Sequence, residues 1–213
     1  MKQMNLKISI LALGCLAAVG LTSCLSDDDN NENTGLSQQE IGQCLTATKG
    51  NYTGKLLFEI ENPNDRNDYA DTLDIAWSVT SDTMVVINQF PALPILENIK
   101  DNKMKEAMAA AAPTQLKSYM GFYQATSPIG FLLYPLTADF DIEYEGAPHK
   151  ASLVFWYNTY SFGNYDTLTR VFQMQFMVAA LYLDDSTSRN YLQSSGSSTT
   201  SIPIVITNAD LSK

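Results

Sequence analysis

The sequence holds a single histidine, three cysteines and only 13 basic residues against 23 acidic ones, and these shortages exclude more than its motifs establish. With His149 alone, paired-histidine zinc motifs and histidine-rich metal sites are ruled out. A Ser-His-Asp triad would have to be built on a residue beside Pro148, in a stretch read here as a turn. Cys15 and Cys24 lie within and just after the N-terminal apolar run, which leaves Cys44 alone in the rest of the chain, without a partner for an intramolecular disulfide and with His149 as the only imidazole that could activate it. It reads as a small buried hydrophobe. The net charge is −10, and the longest basic cluster is Lys103-Met104-Lys105, so no basic stripe exists to hold a phosphate backbone and nucleic acid is excluded as a partner. Gly50-Asn51-Tyr52-Thr53-Gly54-Lys55 is not a phosphate loop, because three residues separate its glycines and Leu56 stands where Ser or Thr would bind magnesium. A chain that lacks disulfides must hold its fold by apolar burial, and its 45% hydrophobic and 10% aromatic content allows it.

The N-terminus carries an address. Lys2 and Lys7 precede an apolar run from Ile8 to Val19, too short to span a bilayer comfortably and shaped like a secretory signal. Leu21-Thr22-Ser23-Cys24 follows, and this resembles the lipobox of bacterial lipoproteins. The resemblance implies cleavage before Cys24, acylation of Cys24 and a membrane held as partner through that lipid anchor. Removing Lys2 and Lys7 with a signal peptide of residues 1–23 takes the net charge from −10 to −12. Behind Cys24, Ser26-Asp27-Asp28-Asp29 is similar to the acidic signal that sends Bacteroidota lipoproteins to the outer face of the outer membrane. Residues 24–36 contain too little apolar surface to offset the entropy of ordering and read as a flexible acidic tether.

Residues 37–213 read as one mainly-β domain. Ser37-Gln38-Gln39-Glu40 is a capping box that opens a short helix ending at Gly50. Alternation then predicts strands over Tyr52–Glu61, Thr72–Val79 and Met84–Phe90, with a hairpin turn at Thr80-Ser81-Asp82-Thr83. A single helix is predicted between Pro94 and Pro113 on the stripe Leu96, Ile99, Met104, Ala107, Met108 and Ala111. Thr114–Ser127 has no clear type. Strands resume over Gly130–Leu136, Ala138–Tyr144, Lys150–Tyr160, Leu168–Leu183 and Ile202–Thr207, with turns at Gly146-Ala147-Pro148 and Phe162-Gly163-Asn164 and a Ser/Thr-rich loop over Ser194–Ser201. About eight strands at hairpin spacing argue a single antiparallel sandwich or partly closed barrel, with a short N-terminal helix and one helix inserted between strands. Lipobox, acidic tether, capped helix and Gly50–Gly54 entering a meander together resemble the small Bacteroidales lipoproteins classed as domains of unknown function.

Three constellations bear on chemistry, and no cofactor motif is among them. Asp139, Asp141, Glu143 and Glu145 alternate with Phe140, Ile142 and Tyr144, which sets successive carboxylates roughly 7 Å apart on one strand face. Such a ladder suits a glycosidase acid/base pair or oxygen ligation of calcium by Asp139, Asp141 and Glu143, and its plainer reading is a solvated face with no counter-charge nearby. Trp156, Asn158 and Tyr160 share a face of a strand, with Phe155 and Tyr157 on the other. That face is either a stacking platform for glycan or part of the core, and in the platform reading Phe155 and Tyr157 are core. Asp-Ser/Thr-apolar triplets place Thr72, Thr83 and Thr167 in sequences resembling the O-glycosylation acceptor of exported Bacteroidota proteins, and Ser186 sits in a related Asp-Ser-Thr triplet. Asp-Thr pairs also start strands well. The expectation is a lipid-anchored envelope protein, a non-enzymatic binding or accessory module for glycan or a small ligand, with a carboxylate-pair glycoside hydrolase and a structural partner of another envelope protein as the alternatives.

Overall fold

The computed structural model describes residues 35–59, 70–192 and 200–211. Cys24, the signal peptide, the tether up to Thr34 and most of the Ser/Thr-rich loop lie outside the described residues.

The first element is the helix that the capping box announces, α1 (Gln38–Thr48). Ser37 Oγ accepts from the Glu40 amide and the Glu40 carboxylate takes the Ser37 amide in return, so two otherwise orphaned donors are satisfied. Cys44 and Thr48 are its buried positions, and Cys44 belongs to the core as a small hydrophobe. The helix ends at Lys49 in extended conformation, so Gly50 begins the first strand and does not act as the helix stop.

Ten strands follow: β1 (Gly50–Glu59), β2 (Ala70–Val79), β3 (Met84–Phe90), β4 (Thr114–Gln124), β5 (Ile129–Pro135), β6 (Ala138–Tyr144), β7 (Ala147–Trp156), β8 (Asn158–Tyr165), β9 (Phe172–Leu183) and β10 (Ile202–Thr207). Eight of them close a barrel in the order β1-β2-β3-β4-β5-β8-β9-β10, every pairing antiparallel. β10 completes it by pairing on one side with β1, Lys55 opposite Thr207, and on the other with β9, Ile202 opposite Val178. Closure removes the free edges that a sandwich would have left. The hairpin β6–β7 branches from the barrel where β7 takes over from β8 beside β9.

Between β3 and β4 the single expected helix is two pieces, a 3₁₀ segment (Leu93–Asn98) and α2 (Asn102–Ala110). The break has two causes. Asp101 adopts extended backbone and caps α2 with its carboxylate on the Met104 amide, while the preceding backbone is drawn aside, Ile99 bridging Leu192 and the Lys100 amide reaching Tyr191 O. The apolar stripe still points inward, with Met104 and Met108 fully buried.

Inward positions fill the barrel. Tyr52, Trp77, Phe131, Tyr165 and Phe172 interlock with ring centroids 5.1–6.4 Å apart, and Phe90, Phe155 and Phe176 form a second group. Burial pushes the Tyr52 hydroxyl up to about 12, and Tyr52 instead donates to Thr48 O, tying the barrel to α1. An eight-stranded barrel is just wide enough for its side chains, and among the described residues this one is packed with them.

Candidate binding face

β7 and β8 are one long strand beside β9, interrupted by a bulge. From the pair Trp156–Met177 to the pair Phe162–Gln175, β9 advances two residues and the opposing chain six, so the residues between them leave the ladder. Ser161, fully buried, stitches the base of the bulge: its hydroxyl donates to Trp156 O and accepts from the Met177 amide at 3.0 Å. Asn158 takes a left-handed backbone (φ 65°), which a short amide side chain tolerates. The predicted strand Lys150–Tyr160 is thus corrected to two, and the stretch Ala147-Pro148-His149 read as turn belongs to β7.

This bulge brings Trp156 and Tyr160 together, centroids 5.8 Å apart and tilted 42°, with exposed Asn158 between them in sequence. Trp156 is half-buried and donates its indole N–H to Thr200 O at 2.8 Å, so its ring is fixed and partly structural. Tyr160 is 55% exposed, and its carbonyl accepts from Gln175 Nε2 at 3.2 Å. Phe155 is core, as expected for the opposite face. Tyr157 is not: the bulge swings it outward to 60% exposure, where it stacks on Tyr134 at 6.3 Å and 25°.

Tyr134 belongs to a set of exposed tyrosines that the sequence reading passed over. On β4, Tyr119 and Tyr123 point outward at 49% and 55% exposure, and Tyr119 lies opposite Tyr134 on β5. Glycines let two of these rings lie close to the wall. A Cβ on Gly130 would meet the Tyr123 ring at 2.5 Å, and one on Gly121 would meet Tyr134 at 3.2 Å. The signal was present, since Leu116, Ser118 and Met120 alternate with Lys117, Tyr119 and Gly121 in the stretch left without a type.

The acidic ladder is laid out differently. Asp139, Asp141 and Glu143 stand exposed on β6, strung along an open face and not gathered in a concavity. Counter-groups are present, contrary to the sequence reading: Ser152 Oγ donates to Asp139 at 2.8 Å, Lys150 lies opposite Asp141 with its Nζ 3.7 Å from Asp139, and Lys103 pairs with Glu145 at 3.0 Å. Among the described residues no three His, Cys, Asp or Glu side chains converge as a metal site. His149 Nδ1 meets Asp184 Oδ2 at 2.6 Å, and the Asp184 carboxyl is held below its usual range by the Lys150 amide and by that imidazole.

α2 is docked beside this strand by Asp101, whose second oxygen accepts from Arg189 Nη2 at 2.9 Å and from the Tyr144 hydroxyl at 3.3 Å. The Met104 amide, with Arg189 and Tyr144, holds the Asp101 carboxyl below its usual range. Burial and the nearby Asp101 charge push Tyr144 up to about 12. A shallow groove of about 510 Å³ on the outside of β1 and β2 is lined by Thr53, Lys55, Asp74 and Asn208, and Lys55 and Asp74 pair within it at 2.6 Å. Of the acceptor-like triplets, Thr167 and Ser186 are exposed on turns. Thr83 is half-buried in the β2–β3 turn, and Thr72 is a half-buried strand residue opposite Leu57.

A closed eight-stranded antiparallel barrel, packed inside and aromatic on part of its outer wall, is the class of protein defined here. The family described as Domain of unknown function (DUF4840) matches residues 47–183, and the chain belongs to it. That match runs from the end of α1 through β9, so the closing strand β10 lies beyond it. No curated protein and no solved structure matches the chain.

Proposed function

We propose that this protein is a lipid-anchored, non-enzymatic binding module of the bacterial outer membrane, facing outward, that captures glycan on the bulge between β7 and β8. The observation that carries the binding part is the Trp156–Tyr160 pair, 5.8 Å apart, on a projection whose base is locked by Ser161. Rings held in place before the ligand arrives lose little freedom on binding, and Asn158 beside them offers an amide to sugar hydroxyls. The anchoring part rests on Leu21-Thr22-Ser23-Cys24 and the acidic stretch behind it. The carboxylates of the hydrolase alternative, Asp139, Asp141 and Glu143, stand exposed along β6, and Asp139 shares the Lys150 ammonium with Asp185, Nζ 3.7 Å from each.

Two measurements test this. Cys24→Ala should release the protein from the membrane fraction and abolish palmitate labelling, and a variant that stays in the membrane with undiminished label overturns the anchor. On a glycan array the full-length protein should bind, and Tyr160→Ala should weaken that binding at least about tenfold with an unchanged melt, as expected for an exposed ring. Equal binding by Tyr160→Ala removes the bulge from the site.

A further inference from the structure

The tyrosine wall beyond the bulge is chemically set apart from the rest of the molecule. In a chain with 13 basic and 23 acidic residues, no charged residue occurs from Tyr119 to Ala138, from Ala151 to Tyr165, or from Val171 to Leu183. These stretches supply the C-terminal half of β4 and the whole of β5, β8 and β9. They are neighbours in the barrel, so the gaps in charge along the sequence merge into one uncharged sector.

Within that sector the exposed rings line up across the strands. Tyr119 on β4 faces Tyr134 on β5, and Tyr134 stacks on Tyr157 at the start of the bulge. Three strands at their ordinary spacing make this row about 10 Å long, longer than one sugar ring. Gly121 beneath Tyr134 lets the ring settle toward the sheet, where it remains 38% exposed. Asn158 and Gln175 border the row with neutral amides. Large exposed rings grouped on one wall mark a contact surface.

We infer that the outer wall of β4, β5 and β8 is an extended platform for a neutral polysaccharide, running from the bulge across Tyr157 and Tyr134 to Tyr119. The inference rests on the glycan-capture reading of the bulge and extends it from a single subsite to a chain. Charge selects the class of ligand. An anionic polymer would meet a net charge of −10 with a single cation, the exposed Lys117 two residues before Tyr119, at the sector's margin, whereas a neutral polyhydroxylated chain can place its C–H faces on the rings and its hydroxyls on the amides.

Affinity electrophoresis of the full-length protein in gels containing soluble starch, mixed-linkage β-glucan, galactomannan or polygalacturonate tests it, with thermal melts run alongside. At least one neutral polymer should retard the protein and polygalacturonate should not. Tyr119→Ala and Tyr134→Ala should each weaken the retardation about tenfold or more without lowering the melt, and Tyr134→Phe, which keeps the ring, should retain it. If a neutral polymer binds and depends on Tyr160 while Tyr119→Ala and Tyr134→Ala bind like the parent, the extended platform is overturned and the bulge reading stands. If no neutral polymer retards the protein, both fall. Concentration-dependent dimerisation abolished by Tyr134→Ala assigns the wall to a second copy and also overturns the inference. Should Tyr134→Ala fail to fold, Tyr119→Ala at a half-exposed strand position decides alone.

Discussion

The outer faces of β6 and of β5 obey the same two-residue alternation and end in opposite chemistry. On β6 the outward positions are Asp139, Asp141 and Glu143, which keep their hydration and find cross-strand partners in Ser152 and Lys150. On β5 the outward positions are Gly130, Leu132 and Tyr134, with the tyrosines of β4 and the bulge alongside. A carboxylate face is complete in water. An aromatic face leaves apolar area in water, and covering it would be worth roughly 25 cal/mol per Å². Alternation decides which residues leave the core, while the residues themselves decide the chemistry of that outer face.

The sharpest break of this comparison lies within one strand. Phe131, fully buried against Phe122 and Phe172, is the inward neighbour of outward positions on β5. Phe131→Ala should cost about 3–5 kcal/mol in denaturant unfolding, whereas Tyr134→Ala should change stability by less than about 1 kcal/mol. Comparable losses from the two would make Tyr134 part of the packing and weaken its role as a binding ring.

On the acidic side the largest effect belongs to Asp101, which holds α2 beside β6. Asp101→Ala should cost about 1–2 kcal/mol through the lost cap. Its folded-state carboxyl lies below the ordinary range, so its contribution is present above the unfolded value near 4 and disappears as pH falls through the lowered folded one. The stability gap between parent and variant should therefore be constant at neutral pH and close under acid. A gap that persists through acid titration would show that the carboxylate's charge is not what holds the helix.

The smallest effect is expected on the acidic face itself. Asp141→Asn and Glu143→Gln should each shift stability by no more than about 0.5 kcal/mol, and calcium should raise the melting temperature of neither parent nor variant. A calcium-dependent rise that the variants lose would turn β6 into a metal-binding strand and erase the contrast with β5.

How far the sequence foretells this depends on whether the cause is local. The capping box at Ser37 and the strands Ala138–Tyr144, Met84–Phe90 and Ile202–Thr207 are legible because neighbouring residues determine them. Closure is not local: β5 passes over β6 and β7 in sequence to pair with β8, and no periodicity encodes that choice. Closure also settles the open question of sandwich against barrel. The start of β9 at Phe172, where Leu168 had been expected, follows from Asp166, whose carboxylate gathers the amides of Leu168 and Thr169 into a turn. In the candidate site, Trp156 and Tyr160 were readable from aromatic density. Tyr157 was misplaced because an unbroken apolar run hides the bulge, and Tyr119, Tyr123 and Tyr134 were missed because each lies far in sequence from the aromatic stretch it joins in space.

The two-sided pairing of β10 carries a consequence for timing. Thr207 must meet both Lys55 and Gln173, so the barrel cannot seal while the segment that contains β10 is still being synthesised. Until then β1 and β9 each lack the neighbour that β10 supplies. The arrival of one six-residue strand converts an open meander into a closed wall.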